Sequence, residues 1–292
     1  MSNLAESYRH LDSKIEIHYD DDKQSPREFG DEPTQMVCWH RNYCLGDEPE
    51  FGGGKAGSPD LSTLEYLTQM ATVYDEKLAD FIDRMENQEC PLPFAHWGTP
   101  EYAAQQATRD AWHAKQQARI WKRVQAVLDD NYVIRKLYLY DHSGISMSCS
   151  SFIGRAQHAA WDSGPVGYIY TDRKTMLKEW GDPKRPGQLT KKVREAADKY
   201  LEGDVETYNQ YLTGDVYGYV VKRKGEEVDS CWGFYGLEYV KKEAESVANW
   251  SHKIRTEKAY HERGYDSVTG KWLRPGKAKC ERLYHTMQQA LK

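Results

Sequence analysis

Short stretches that alternate apolar and polar residues, or are rich in β-branched and aromatic residues, mark where this chain is predicted to form strands. These stretches lie at 14–19, 36–41, 137–141, 145–149, 166–171, 217–223 and 228–234. Between the last two, Lys224-Gly225 supplies the residue types of a tight hairpin turn. Because parallel neighbours need a crossover of about a dozen residues or more, these closely spaced strands are predicted to pair mainly antiparallel, as the core of one sheet.

Apolar residues that recur every three or four positions predict helices in the rest of the chain. The clearest one starts at Ser62-Thr63-Leu64-Glu65, where the serine and glutamate match a capping box, and runs to about residue 88. A second starts at Thr99-Pro100 and runs to about Leu128. Further helices are predicted at 174–180, 193–212 and 237–253, and residues 1–13 are interpreted as a polar tail. The predicted fold class is α+β, with helices packed on a mainly antiparallel sheet.

The order of these elements predicts how the chain is divided. Residues 1–47 and 136–253 are expected to form the α+β core, and 48–135 a long helical insertion. Residues 254–292 are expected to form a basic C-terminal extension, since this stretch carries 9 Lys+Arg against 4 Asp+Glu. A length of 292 residues suits one sizeable core or two modest ones, at ~100–200 residues per domain.

Charge and composition narrow the class of protein. The net charge is −5, but residues 1–90 hold 20 acidic and 8 basic side chains, a net of −12, so the remainder carries +7. No apolar run approaches the ~20 residues that cross a bilayer. The N-terminal segment does not show the basic region followed by an apolar region that a secretory signal has. No membrane partner is therefore predicted. The 6 cysteines are scattered without a CxxC pair, which favours reduced thiols in a cytoplasm.

Two segments resemble metal sites without completing one. Asp20-Asp21-Asp22 offers hard oxygen ligands, but a lone triplet is more often a solvated turn. Cys38, His40 and Cys44 are soft ligands, but a fourth ligand at suitable spacing is absent. No metal and no cofactor is therefore predicted.

Polar residues at strand ends are the candidates for catalysis. Asp141-His142-Ser143-Gly144 and Asp162-Ser163-Gly164 combine Asp, His and Ser, yet adjacent residues on one strand end do not readily form a triad, and no GxSxG elbow is present. The same residue types are good turn formers, which is the favoured interpretation. No catalytic residue is predicted, and Asp141, His142, Asp162 and Asp215 become candidates only if a pocket joins them.

The second long helix mixes basic and aromatic side chains. Arg109, Lys115, Arg119, Lys122 and Arg123 are interleaved with Trp112 and Trp121. Such a mixture is able to contact phosphates and stack on bases. The favoured interpretation is a helical hairpin with residues 62–88 whose exposed face is merely basic.

Several motifs resemble a family of proteins encoded by bacteriophages and integrative elements. These are SPREFGDEPTQMVCWHRNYCLGD, LYLYDHSGISMS, WDSGPVGYIYTDRK, VETYNQYLTGDVYGYVV and DSCWGFYG. The resemblance extends over 14–47 and 137–236, nearly half the chain. That family has no activity to carry over residue by residue. The resemblance implies a phage-encoded protein in the host cell cytoplasm. The chain departs from shorter members at 48–135 and in its C-terminal extension, where member-specific binding surfaces are expected.

The predicted function is a non-enzymatic one: binding to a host bacterial protein or complex, and inhibiting or redirecting it in anti-defence or host takeover. The predicted partner-binding residues are of the types enriched at interface hot spots. They are Trp97, Trp112, Arg119, Trp121, Arg123, Tyr260, Tyr265, Trp272 and Tyr284. Two alternatives stay open: a metal-assisted hydrolase acting at Asp141, His142 and Asp162, and a nucleic-acid-binding protein, the less favoured partner class. Self-association also stays open.

Overall fold

The computed structural model describes residues 3–30, 32–52, 54–55, 58–91, 97–262, 265–266 and 271–272. The helices are α1 Thr63–Tyr74, α2 Glu76–Glu86, α3 Pro100–Asn131, α4 Ala159–Asp162, α5 Arg173–Trp180, α6 Lys191–Thr213 and α7 Leu237–Glu262. The strands are β1 Leu4–His10, β2 Ser13–Tyr19, β3 Gln35–Cys38, β4 Gly54–Lys55, β5 Ser58–Pro59, β6 Tyr132–Asp141, β7 Ile145–Ser148, β8 Ser163–Asp172, β9 Val216–Arg223, β10 Glu226–Tyr235, β11 Tyr265–Asp266 and β12 Lys271–Trp272. The pairing is antiparallel, which confirms the predicted α+β class. No helix in the described part of the chain is both long and apolar enough to cross a membrane.

The prediction of one sheet is wrong, because the strands form two four-stranded sheets. One has the order β1-β2-β9-β10 and the other β3-β8-β6-β7, with β4–β5 and β11–β12 as small separate pairs. The chain accordingly divides into a terminal unit, Met1–Gln24 with Gly214–Lys292, and a central unit, Ser25–Thr213. Neither unit coincides with the predicted core of 1–47 and 136–253. Alternation along a strand shows which side chains share a face, but it does not show which strand lies alongside.

In the terminal unit, α7 covers one face of the sheet. Ile15 and Ile17 of β2 and Val221 of β9 are fully buried there. They pack with Val240, Ala244 and Ala248 of α7. The N-terminal residues join this sheet, so their interpretation as a polar tail is wrong: β1 pairs with β2 from Leu4 to His10.

In the central unit, the sheet lies between two helical layers. Side chains of β3, β6, β7 and β8 pack with α6 on one face, and the opposite face packs with α1, α2 and α3. The predicted helical hairpin is therefore confirmed, and so is the capping box at Ser62 and Glu65. The first arm is two helices rather than one, because Asp75 is extended and its carboxylate accepts a hydrogen bond from the Lys77 backbone N–H at 3.1 Å.

A buried ion network attaches the segment before β3 to α6. The five N–H groups of the Arg27 guanidinium all donate within the protein. Their acceptors are both carboxylate oxygens of Asp47, the hydroxyl and carbonyl oxygens of Thr34, and Asp204 Oδ2 at 2.6 Å. Burial opposes the charged form of Arg27, but the bonds and charges of Asp47 and Asp204 hold its pKa above the ordinary value. With every donor occupied, Arg27 has a structural role.

Candidate functional site

Three of the four residues singled out for catalysis lie at one end of the central sheet. β6 ends at Asp141 and β8 begins at Ser163, and the antiparallel register pairs Tyr140 with Ser163. Asp141, His142 and Asp162 are thereby brought to the same strand ends. Asp215 belongs to the terminal unit, where its carbonyl oxygen accepts a hydrogen bond from the Gly236 N–H at 2.9 Å.

His142 and Asp162 form a hydrogen-bonded pair. His142 Nδ1 lies 2.9 Å from Asp162 Oδ2, and the two side chains are 45% and 32% exposed. An imidazole oriented by a carboxylate is able to transfer protons. The neighbouring hydroxyl does not complete a triad, because Ser163 Oγ donates to the Ala159 carbonyl at 2.6 Å. Asp141 accepts a hydrogen bond from the Tyr43 hydroxyl at 3.3 Å.

A stack of four rings connects the segment 149–162, which ends in α4, to the end of β6. We call it the ring ladder: Phe152, Tyr140, His142 and His158 follow one another at centroid distances of 5.5, 5.8 and 5.7 Å. The Tyr140 hydroxyl also donates to the Gln157 carbonyl at 2.9 Å. Sequence reasoning missed this role of Phe152 and His158, since no spacing rule relates these residues to Tyr140.

The backbone at His158 is unusual for a residue outside a hairpin turn. Among the described non-glycine residues, positive φ occurs at Leu11, Ser143, Lys224 and His158, and the first three lie in hairpin turns. His158, with φ of 57°, instead precedes α4. Its carbonyl oxygen accepts from the N–H groups of Trp161 and Asp162 at 2.9 and 3.0 Å. The backbone that carries Trp161 is therefore hydrogen-bonded in place.

A small cleft opens beside the histidine–aspartate pair. Its volume is about 350 Å³, and its lining includes His40, Arg41, Asp141, Trp161 and Asp162. The Trp161 side chain is 89% exposed. Trp161 thus combines an ordered backbone with a side chain that packs on almost nothing in its own chain.

The predicted partner-binding residues of the helical hairpin fall into two groups. Trp97 is 85% exposed and Arg119 is also exposed. Trp112 is partly buried, and Trp121 packs partly against the core of the helical layer. Arg123 is held by Asp75 at 3.1 Å and lies 4.8 Å over the Phe81 ring, so its contacts stabilise the hairpin.

The remaining predicted partner-binding residues lie toward the C-terminus. Tyr260 lies in α7, and Tyr265 pairs with Trp272 between β11 and β12. The side chains of these three residues, and all of Tyr284, lie outside the described residues. Their role in partner binding stays a prediction.

The two candidate metal segments are ordinary structure in the described chain. Cys38 is fully buried, and burial raises the pKa of its thiol to about 12, whereas Cys44 is exposed. Asp20 accepts hydrogen bonds from the N–H groups of Asp22 and Gly233, both at 3.0 Å, as a turn residue does. Among the residues that the structure describes, no group of three or more His, Cys, Asp or Glu side chains is placed to hold a metal ion.

A cavity of the central unit lies beside the Arg27 network, and its lining includes Arg27. It has a volume of about 850 Å³. Its lining includes Tyr43, Tyr208 and Tyr211 together with Glu28, Glu32 and Glu48. Because every Arg27 donor is occupied, the adjacent guanidinium has no N–H left for an anion in this cavity.

Comparisons of this chain with protein-family models, with curated proteins and with solved structures found no match. The resemblance to phage-encoded proteins therefore stays a prediction that rests on the motifs quoted above.

Proposed function

We propose that the protein binds a protein of its bacterial host and inhibits or redirects it, with Trp161 as a central contact. This function is compatible with the phage origin that the motifs imply, and it places the interaction in the host cytoplasm. Catalysis is not needed for such a role. No observation favours the metal-assisted hydrolase, because the described carboxylates and histidines offer no set of metal ligands.

The exposure of Trp161 supports the proposal most directly. A tryptophan that is 89% exposed leaves a large apolar surface in water. Tryptophan is among the residues most enriched at interface hot spots, together with tyrosine and arginine. Arg41, which lines the adjacent cleft, supplies the other typical residue type. An apolar anchor beside a charged cleft matches the combination of buried core and polar rim found at protein interfaces.

The order of the surrounding backbone also supports it. α4 is short, but the His158 carbonyl and the ring ladder hold the segment that carries Trp161. A contact residue on an ordered segment loses less conformational freedom on binding than one on a flexible loop. This surface differs from the one that the sequence predicts on the 48–135 insertion, which Trp97, in the turn before α3, represents here.

Two matched variants distinguish these surfaces. The tagged full-length chain, Trp161→Ala and Trp97→Ala would be expressed in the bacterial host, and captured proteins quantified by mass spectrometry against an untagged control. Any host protein enriched by the wild type would then be purified and its affinity measured by calorimetry. We expect Trp161→Ala to weaken this affinity about 30-fold or more, the loss typical of a hot spot. Trp97→Ala should change it less than about twofold.

Each other outcome counts against part of the proposal. An affinity lost in Trp97→Ala and retained in Trp161→Ala would assign binding to the 48–135 insertion instead. If no purified host protein binds the wild type, the proposed function itself is wrong.

A further inference from the structure

The cavity beside the Arg27 network has the size and the apolar lining of a ligand site. Its volume of about 850 Å³ lies within the range of small-molecule sites, ~300–1,000 Å³. Aromatic and aliphatic side chains make up the apolar part of the lining. They are Tyr43, Leu45, Ile145, Tyr208, Tyr211 and Leu212. A single metal ion would fill only a small part of this space, so the cavity suits an organic ligand.

The charged part of the lining is mainly acidic. Four carboxylates belong to it, those of Glu28, Glu32, Asp47 and Glu48. Among the described lining residues, Arg27 is the only cation, and it is bound to Asp47 and to Asp204. Glu32 accepts a hydrogen bond from the Tyr200 hydroxyl at 2.7 Å, which leaves its negative charge in place. The cavity therefore has a net negative charge that favours a cationic ligand.

The C-terminal end of α6 adds to this negative potential. Tyr211 and Leu212 line the cavity and belong to the final turn of the helix, which ends at Thr213. The carbonyl groups at a helix C-terminus carry partial negative charge and interact favourably with cations. This last turn, which the structure describes in full, contains no basic residue. The helix itself thus supplies no cation to balance its end.

Two of the aromatic rings in the lining are held in place by contacts with their neighbours. The buried Tyr208 hydroxyl accepts a hydrogen bond from the Gly46 N–H at 3.0 Å. The Tyr43 ring stacks on His40 at a centroid distance of 4.8 Å, and its hydroxyl donates to Asp141 at 3.3 Å. Rings that are already positioned lose little conformational freedom when a ligand binds against them.

We propose that this cavity binds a linear aliphatic polyamine, a chain of methylene groups that carries several ammonium groups. The ammonium groups pair with the carboxylates of Glu28, Glu32 and Glu48, and the face of a tyrosine ring also attracts a cation. The methylene groups contact the apolar part of the lining. An anion would meet like charge here, and a metal ion would leave the apolar lining uncovered. The site is distinct from the proposed contact at Trp161, so neither proposal depends on the other.

Isothermal titration calorimetry of the full-length chain with spermidine tests the proposal. We expect saturable binding with a Kd below about 1 mM. Putrescine, which has one ammonium group fewer, should bind more weakly, and butylamine, a monocation of similar length, more weakly still. Added salt should lower the affinity for spermidine, because Glu28 and Glu48 are exposed and their attraction for a cation is screened.

Variants with matched changes of charge locate the site. Glu28→Gln and Glu48→Gln keep the shape of the side chain and remove its charge. Each should weaken spermidine binding about threefold, and the double variant about tenfold. Tyr211→Leu should weaken it by a similar factor, because the ring face is lost. Glu86→Gln is the control: Glu86 is exposed at the end of α2, on the opposite face of the sheet from α6, and its loss should leave the affinity unchanged.

Hydrogen exchange gives a second measurement that needs no variant. Spermidine should slow amide exchange in peptides from 42–48 and from the last turns of α6. Exchange that is unchanged in both segments at saturating spermidine would overturn the proposal, as would the absence of spermidine binding by the wild type. Equal weakening by Glu86→Gln and Glu48→Gln would also overturn it, because that result is expected of unspecific attraction to an acidic chain.

Discussion

Replacement of Arg27 by methionine is predicted to destabilise the central unit strongly. The Arg27 side chain is only 4% exposed, and it lies between the carboxylates of Asp47 and Asp204. Methionine has a similar length but offers no N–H donor and no charge. The substitution would leave the buried Asp204 carboxylate and the partly buried Asp47 carboxylate without their counter-ion, and it would remove the Arg27 donor from the Thr34 carbonyl.

The magnitude follows from the burial of the network. Breaking a buried ion pair by removing one partner costs about 3–5 kcal/mol, because the remaining charge stays out of water. Arg135 provides the control: it makes the same two-pronged contact with Asp198, both bonds at 2.5 Å, but its side chain is 34% exposed. An exposed pair contributes about 0–1 kcal/mol. Arg27→Met should therefore cost several times as much free energy of unfolding as Arg135→Met.

The assay must report on the central unit alone, because a chain of two units need not unfold in one step. Urea dependence of amide hydrogen exchange, read by mass spectrometry on peptides from 25–213, provides that resolution. Arg27→Lys should give an intermediate loss, since lysine keeps the charge but not the planar set of donors. Equal losses for Arg27→Met and Arg135→Met would refute the reasoning that burial of this network determines its contribution.

Three other predictions concern separate parts of the molecule. Hydrogen bonds from Lys14 and then Lys222 lower the pKa of Glu16 from 4.5 to about 2. Because the folded pKa is the lower one, the stabilisation is present above about pH 4.5 and lost as pH falls toward 2. Glu16→Gln should therefore flatten the acid dependence of exchange in β2 and β9, and an unchanged profile would contradict this. Iodoacetamide at pH 8 should label exposed Cys44 and Cys231 before buried Cys38, whose pKa burial raises to about 12. Comparable rates by peptide mapping would show that Cys38 is accessible. Ser62→Ala removes the capping bond to the Glu65 N–H and should destabilise α1 by about 1 kcal/mol in exchange measurements, while Ser150→Ala, in an exposed loop, should not.

Local features of this protein were predictable because they depend on neighbours in the sequence. The capping box at Ser62, the hairpin turn at Lys224-Gly225 and the helical pattern of residues 191–213 each need only a few adjacent side chains. Asp141 and Asp162 were also recognised as strand-end residues from their turn-forming neighbours. The break at Asp75 was missed, because the apolar periodicity continues across it and only the extended backbone of that residue separates α1 from α2.

Tertiary structure decided everything that depends on residues far apart in the chain. Antiparallel pairing places Leu4–His10 beside β2 and divides the strands between two sheets, since hydrogen bonding between strands is the same for many partners. The same long-range packing buries Arg27 against Asp204, stacks Phe152 on Tyr140, and lays Trp232 on Gly218. Sequence alone determined which side chains are available for these contacts. The tertiary structure determines which residues they contact, because burial and close approach depend on the whole chain rather than on local spacing.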